Sequence, residues 1–190
     1  MLLYIHGFNS SALSFKAGVL RKRMTELRRG REFLCPELPH TPREAVALLA
    51  GTIEEHGPAE TSLIGSSLGG FYGTFLAERY GLRTVLINPA VAPYELLASA
   101  LGPQVNLYTG ARYELTHAHV AELRALEVER VTPERYLLIV GTADEVLDYR
   151  IAVEKYRGAG QIVVEGGDHG LSNFDPYLDP ALAFCGIAAG

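Results

Sequence analysis

Three residues of this chain have side chains that could act together in nucleophilic catalysis: Ser67, Asp144 and His169. Ser67 stands in Leu63-Ile64-Gly65-Ser66-Ser67-Leu68-Gly69-Gly70, with Gly65 and Gly69 two positions away on either side. An apolar run precedes this segment and a helical pattern follows it. A strand that turns abruptly into a helix holds its central residue in a strained conformation and pushes the hydroxyl outward. Side chains two positions either way would clash there, and glycine avoids the clash. The helix N-terminus behind the hydroxyl favours developing negative charge. A glycine-rich packing turn is the plainer alternative. A phosphate-binding loop fits less well, because no Gly-Lys-Ser/Thr follows. Ser66 has Ile64, not glycine, two residues before it, so it is assigned a supporting role at most.

A serine hydroxyl needs a base to take its proton and a second group to orient that base. Of the later histidines, only His169 lies in a loop just past the last strand pattern, in Gly166-Gly167-Asp168-His169-Gly170. His117 and His119 are two apart on a helical pattern and face different directions, which argues against a metal pair. The acid is expected after the preceding strand. Asp144 stands there on a small-residue turn, with Glu145, Asp148 and Asp168 as alternatives. Asp148 reads better as a helix N-cap. An oxyanion would be held by two backbone N–H groups, from Leu68 directly after the nucleophile and from the loop after the first strand. In that loop Gly7 permits close approach, so Phe8 is the expected donor and Asn9 the second choice. His6 is expected to hold the loop by side-chain hydrogen bonds.

The elements that must position these residues alternate. Continuous apolar runs at Leu2–Ile5, Glu32–Cys35, Ser62–Gly65, Thr84–Asn88, Tyr136–Val140 and Gln161–Glu165 read as strands covered on both faces. Helical patterns between them imply a parallel sheet inside a three-layer α/β/α sandwich. The helices fall at Ser14–Arg29, from Pro42 to near Gly57, at Leu68–Tyr80, Tyr94–Leu101, His117–Leu126, Asp148–Tyr156 and Pro180–Cys185. Thr41, Pro42 and Glu44 form an N-terminal capping signature. Residues 89–135 are longer than one crossover requires. They are expected to form a lid, two helical pieces joined by Gly102-Pro103 and Tyr108-Thr109-Gly110, within a single domain spanning 1–190.

The 190 residues carry 17 Lys+Arg against 22 Asp+Glu, a net charge of −5, with 48% hydrophobic residues. This composition argues against disorder and against a dedicated nucleic-acid binder. No stretch approaches the roughly 20 apolar residues of a membrane span. Met1–His6 lacks the marks of a signal peptide, and two cysteines cannot build a disulfide framework, so a cytoplasmic protein is expected.

Taken together these segments resemble the α/β-hydrolase superfamily and, more narrowly, the small YqiA-type esterases. The likeness rests on Leu3-Tyr4-Ile5-His6-Gly7-Phe8-Asn9-Ser10-Ser11, on Gly65 to Gly70, on Ile87-Asn88-Pro89-Ala90-Val91, on Asp144-Glu145-Val146-Leu147-Asp148-Tyr149-Arg150 and on Gly166 to His169. The resemblance implies six parallel strands in the order 2-1-3-4-5-6, the triad Ser67, Asp144 and His169, and hydrolysis of carboxylic esters, including acyl-CoA thioesters. It calls for no metal or organic cofactor; the partner is a small-molecule ester or thioester. Family members often carry serine after the histidine, where this chain has Gly170. A non-catalytic binding module, an acyltransferase and a carbon–carbon bond hydrolase are the alternatives.

Two features bear on substrate. Val91, Tyr94, Leu96, Leu97, Leu101, Leu107, Tyr108 and Tyr113 in the 89–135 segment could line an acyl pocket, although core packing is the plainer expectation. Lys16, Arg21, Lys22, Arg23, Arg28, Arg29 and Arg31 form a basic run that could meet a phosphate, although a solvated helix face is the plainer expectation.

Overall fold

The apolar runs do form the centre of a parallel sheet. In the computed structural model, which describes residues 1–106 and 108–187, six strands lie side by side: β1 (Leu2–Ile5), β2 (Phe33–Leu34), β3 (Ser62–Ser66), β4 (Thr84–Ile87), β7 (Tyr136–Gly141) and β8 (Gly160–Val164). Their order is β2-β1-β3-β4-β7-β8, with every neighbouring pair parallel. Side chains on a strand alternate between faces, and along the central strands β1, β3, β4 and β7 both faces are dry, whereas the edge strand β8 is only partly buried. Leu3, Ile5 and Leu63 enter one core cluster, while Leu2, Tyr4 and Ile64 enter the other. That is why these strands read as unbroken apolar runs.

Two helices, α1 (Phe15–Glu26) and α7 (Asp175–Phe184), cover the second cluster. The first is covered by α2 (Pro42–His56), α3 (Leu68–Tyr80), α4 (Pro93–Ala98), α5 (His117–Arg124) and α6 (Tyr149–Lys155). Helix α2 starts as its sequence signature indicates. Thr41 Oγ1 accepts from Glu44 N at 3.4 Å, and its hydroxyl donates to the Glu44 carboxylate at 2.6 Å. Helix α7 begins five residues before Pro180, which lies inside it on the exposed side. The proline marks no boundary there.

The largest departure from expectation is in residues 89–135. The link between α4 and α5 is an antiparallel hairpin, β5 (Gly102–Val105) and β6 (Arg112–Leu115), which forms a sheet of its own. These two strands are why the parallel strands carry the numbers 7 and 8 in chain order. Gly102 and Pro103, expected as a linker, open β5. Burial along both strands alternates rather than running continuously, so neither stood out as a sheet-core segment.

Candidate active site

The parallel strands end together, and the loops leaving β1, β3, β4, β7 and β8 meet at that edge. Ser67 occupies the sharp turn between β3 and α3 with φ 53° and ψ −120°. For a residue with a side chain this conformation costs about 1–3 kcal/mol. Surrounding bonds hold it: Ser67 N donates to Ile87 O at 3.0 Å, and Ser67 O accepts from Gly70 N at 2.9 Å and Ala90 N at 3.1 Å. The glycines are sterically required. A Cβ on Gly65 would lie 2.4 Å from Gly69 O, and one on Gly69 would lie 2.1 Å from Ile5 O.

The structure brings Ser67, His169 and Asp144 into one relay. His169 Nε2 lies 3.2 Å from Ser67 Oγ, and His169 Nδ1 lies 2.9 Å and 3.0 Å from the two Asp144 carboxylate oxygens. Asp144 Oδ1 also accepts from the amides of Val146 and Leu147, each at 2.8 Å. Its side chain is 2% exposed and that of His169 is 22% exposed. Burial pushes the Asp144 carboxyl pKa up, but the hydrogen bonds from His169, Leu147 N and Val146 N outweigh it. The net shift is below the ordinary value. An ionised carboxylate can only accept. Nδ1 therefore carries the imidazole proton, and Nε2 offers its lone pair to the Ser67 hydroxyl.

The alternative acids have other partners. Glu145 Oε2 accepts from the backbone amide of His169 at 3.0 Å. Asp148 caps α6 by accepting from Arg150 N at 3.0 Å. Asp168 Oδ1 accepts from Ser172 N at 2.7 Å. His119 bonds back to Thr116 at the start of α5, with Thr116 N donating to its Nδ1 at 3.0 Å. Cys35 and Cys185 are separate free thiols.

One residue that binds this arrangement together has no catalytic chemistry of its own. Asn88, directly after β4, is 2% exposed. Its amide nitrogen donates to Asp168 O at 2.9 Å and His169 O at 2.8 Å, and its oxygen accepts from Gly141 N at 2.8 Å. A single side chain thus ties the base loop to the end of the acid strand. Sequence reasoning picked Asn88 out only as part of the Asn-Pro-Ala-Val run. A polar amide ending a buried apolar strand was the available signal. The same two loops touch directly as well: Ala143 N donates to Gly167 O at 2.9 Å, and a Cβ on Gly141 would meet that oxygen at 2.2 Å.

The loop after β1 runs against the nucleophile, since a Cβ on Gly7 would lie 3.2 Å from Ser67 Cβ. Among the described residues, the amides of Phe8 and Leu68 have no acceptor in the protein. His6 is buried and braces this loop. Leu38 N donates to His6 Nε2 at 3.4 Å, which leaves Nδ1–H to donate to Gly7 O at 3.1 Å. Burial lowers the His6 pKa, which favours this neutral form. Asn9, the second-choice donor, uses its side chain to anchor the hairpin. Tyr113 Oη donates to Asn9 Oδ1 at 2.8 Å, and Asn9 Nδ2 donates to Gln104 Oε1 at 3.2 Å. Asn106 adds a bond from its amide to Ser10 O at 2.8 Å.

Two cavities flank residues 7–10. One of about 410 Å³ holds Ser67, His169, Tyr108 and Lys16; the other, about 220 Å³, holds Leu68, Tyr72 and Tyr113, and Phe8 borders both. The apolar residues of the 89–135 segment divide accordingly. Tyr94 and Leu97 are core, Tyr108 and Tyr113 face the cavities, and Val91 and Leu96 line an open groove with Val146 and Ile151. Leu107 lies outside the described residues. The basic run also divides. Arg23 pairs with Asp179 and Arg29 with Glu32, whereas Lys16 turns into the cavity beside Ser67.

This sheet order, with a strained serine between strand and helix, defines the α/β-hydrolase fold. The chain superposes on mouse alpha/beta hydrolase domain-containing protein 10 with a TM-score of 0.72 at 15% identity, covering 96% of this chain and 89% of that one. It superposes on a monoacylglycerol lipase of Paleococcus ferrophilus with a TM-score of 0.64 at 18% identity, covering 96% and 94%. The chain belongs to UPF0227, described as an uncharacterised protein family, whose model matches residues 1–186. A UPF0227 protein of Serratia proteamaculans is 22% identical over 188 residues, 97% of this chain and 98% of that protein.

Proposed function

We propose that this protein is a serine hydrolase that cleaves carboxylic esters through an acyl-enzyme. The observation that carries this reading is the continuous relay from Ser67 Oγ through His169 to the Asp144 carboxylate. His169 Nε2 takes the hydroxyl proton as Ser67 Oγ attacks the acyl carbon. The carbonyl oxygen becomes an oxyanion and is held by the free amides of Phe8 and Leu68. As the tetrahedral intermediate collapses, His169 gives its proton to the leaving alcohol. A water then attacks the acyl-enzyme, His169 takes its proton, and the acid departs as Ser67 regains its hydrogen. Asp144 keeps the imidazole in the right tautomer and offsets its charge while it is protonated.

The leaving group sits beside His169. The acyl group extends from the oxyanion site toward Leu68 and Tyr72, and residues 89–135 serve as a lid over it. Thioesters enter the same route, since a thiolate leaves at least as readily as an alkoxide. The free thiols of Cys35 and Cys185 support a reducing, cytoplasmic setting, and no helix among the described residues is long and apolar enough to cross a membrane.

The test is covalent labelling with a neutral fluorophosphonate beside a panel of 4-nitrophenyl esters and acyl thioesters. Labelling of wild type but not Ser67→Ala, with ester turnover lost in that variant, is the expected result. Turnover retained in Ser67→Ala would reject the mechanism, and a folded wild-type protein that resists the label would favour a binding module.

A further inference from the structure

The larger cavity has one lysine or arginine among its described lining residues, Lys16, in a protein of net charge −5. Lys16 lies in the first turn of α1, and this helix begins against the cavity, with Ser14 and Phe15 also in the wall. The N-terminus is bare. Its first turn holds no acidic residue, and the Ser14 side chain makes no capping bond. Ser14 is 9% exposed; its hydroxyl is buried beside the Tyr4 phenol and has no hydrogen-bond partner of normal geometry. A helix N-terminus attracts negative charge, and unpaired donors at that end make an anion site.

The Lys16 ammonium donates to Gly170 O and forms no ion pair among the described residues. An ammonium has three donors, so two remain for a ligand. Burial draws its pKa below the ordinary lysine range, with Asp168 and Asp144 opposing that shift. Both carboxylates attract the ammonium without forming an ion pair with it; Asp144 is bonded to His169, and Asp168 accepts from Ser172 N.

Chemistry assigns the cavity to one half of the substrate. His169 Nε2 must protonate the leaving oxygen, so the leaving group lies on the imidazole side of Ser67. Lys16 bonds to Gly170, the residue next to that histidine. We propose that Lys16 and the start of α1, left uncapped by Ser14, receive a carboxylate or phosphate carried by the leaving alcohol, so that the protein prefers esters of anionic alcohols. This rests on the hydrolase reading above and adds the substrate class.

The test compares 3-acetoxybenzoate with 3-acetoxybenzamide, which share an acyl group and differ in the charge of the leaving phenol. A 3-acetoxyphenyl phosphate arm separates phosphate from carboxylate as the preferred anion. In wild type at low salt, kcat/KM for the better anionic ester should exceed the neutral one by about tenfold or more, as expected for a charge-assisted hydrogen bond. The ratio should shrink as salt is added. It should collapse to about one in Lys16→Met, whatever loss both esters share, and persist in Lys16→Arg.

A wild-type ratio of one or less overturns the proposal. So does a ratio unmoved in Lys16→Met while both rates fall, which would leave Lys16 as a tie for the loop at Gly170. If Lys16→Met does not fold, a wild-type ratio insensitive to salt overturns it. A protein whose Ser67 resists the neutral fluorophosphonate fails the hydrolase reading itself. A labelled protein without the preference fails only this one.

Discussion

The triad loops and the 89–135 segment approach the same cavities by different means. The loops after β3, β7 and β8 are held by backbone contacts and by one buried side chain, Asn88. Their strands are locked in register, glycines at 65, 69 and 141 sit where no side chain fits, and Asn88 bonds across three of the chain's turns. The hairpin β5–β6 pairs only with itself and reaches the site through side chains, by way of Asn9, Gln104, Asn106 and Tyr113. The difference separates two tasks. Bond-making chemistry tolerates displacements of well under 1 Å, and backbone contacts enforce that. Choice of substrate can vary with a few exposed side chains, while the machinery beneath stays intact.

That contrast can be broken at several strengths. Ser67→Ala should lower ester turnover by about 10⁴-fold or more while the fold persists, read by steady-state kinetics and thermal melting. Asp144→Asn should cost about 10⁴ in kcat, because an amide can present the wrong group to Nδ1 and lose the tautomer.

The same variant reports on pH. The Asp144 pKa is depressed below its ordinary value of 3.8. Its contribution to stability is therefore complete above that value and lost as pH falls through the lower folded pKa. The gap in melting temperature between wild type and Asp144→Asn should hold steady from neutral pH down to about pH 4 and narrow below it. A constant gap would contradict the depressed pKa.

Asn88→Ala should lower kcat by roughly 10²-fold with KM changed much less, since it loosens the base loop without touching substrate. A KM effect as large as the kcat effect would count against a positioning role. Tyr113→Phe should be mildest. Losing one bond to Asn9 should reduce kcat/KM by about two- to tenfold, with fluorophosphonate labelling of Ser67 retained. A loss comparable to that of Asn88→Ala would erase the distinction between the two regions.

Much of the framework was legible in the residues, for physical reasons that can be named. Strands buried on both faces must be apolar throughout, so Leu2–Ile5 and Tyr136–Val140 stood out. A serine at positive φ between a strand and a helix needs glycines around it, so Gly65 and Gly69 marked Ser67. The hairpin escaped notice because its strands are short, half exposed and opened by Gly102-Pro103, a pair that reads as a turn. Helix α7 was read too short because Pro180, a common helix starter, is tolerated inside it on a solvated side.

Residue types and local spacing by themselves determined the alternating strands and helices, the elbow at Ser67 and the order of serine, acid and histidine, because each depends on neighbours in the chain. Only the tertiary structure decided which carboxylate faces His169, that Glu145 serves the backbone instead, that Asn88 bridges the loops and that Lys16 leaves the solvated helix face for the cavity. Those outcomes depend on groups up to 154 positions apart, as Lys16 and Gly170 are. Local pattern carries no record of which distant strand ends the sheet will place side by side.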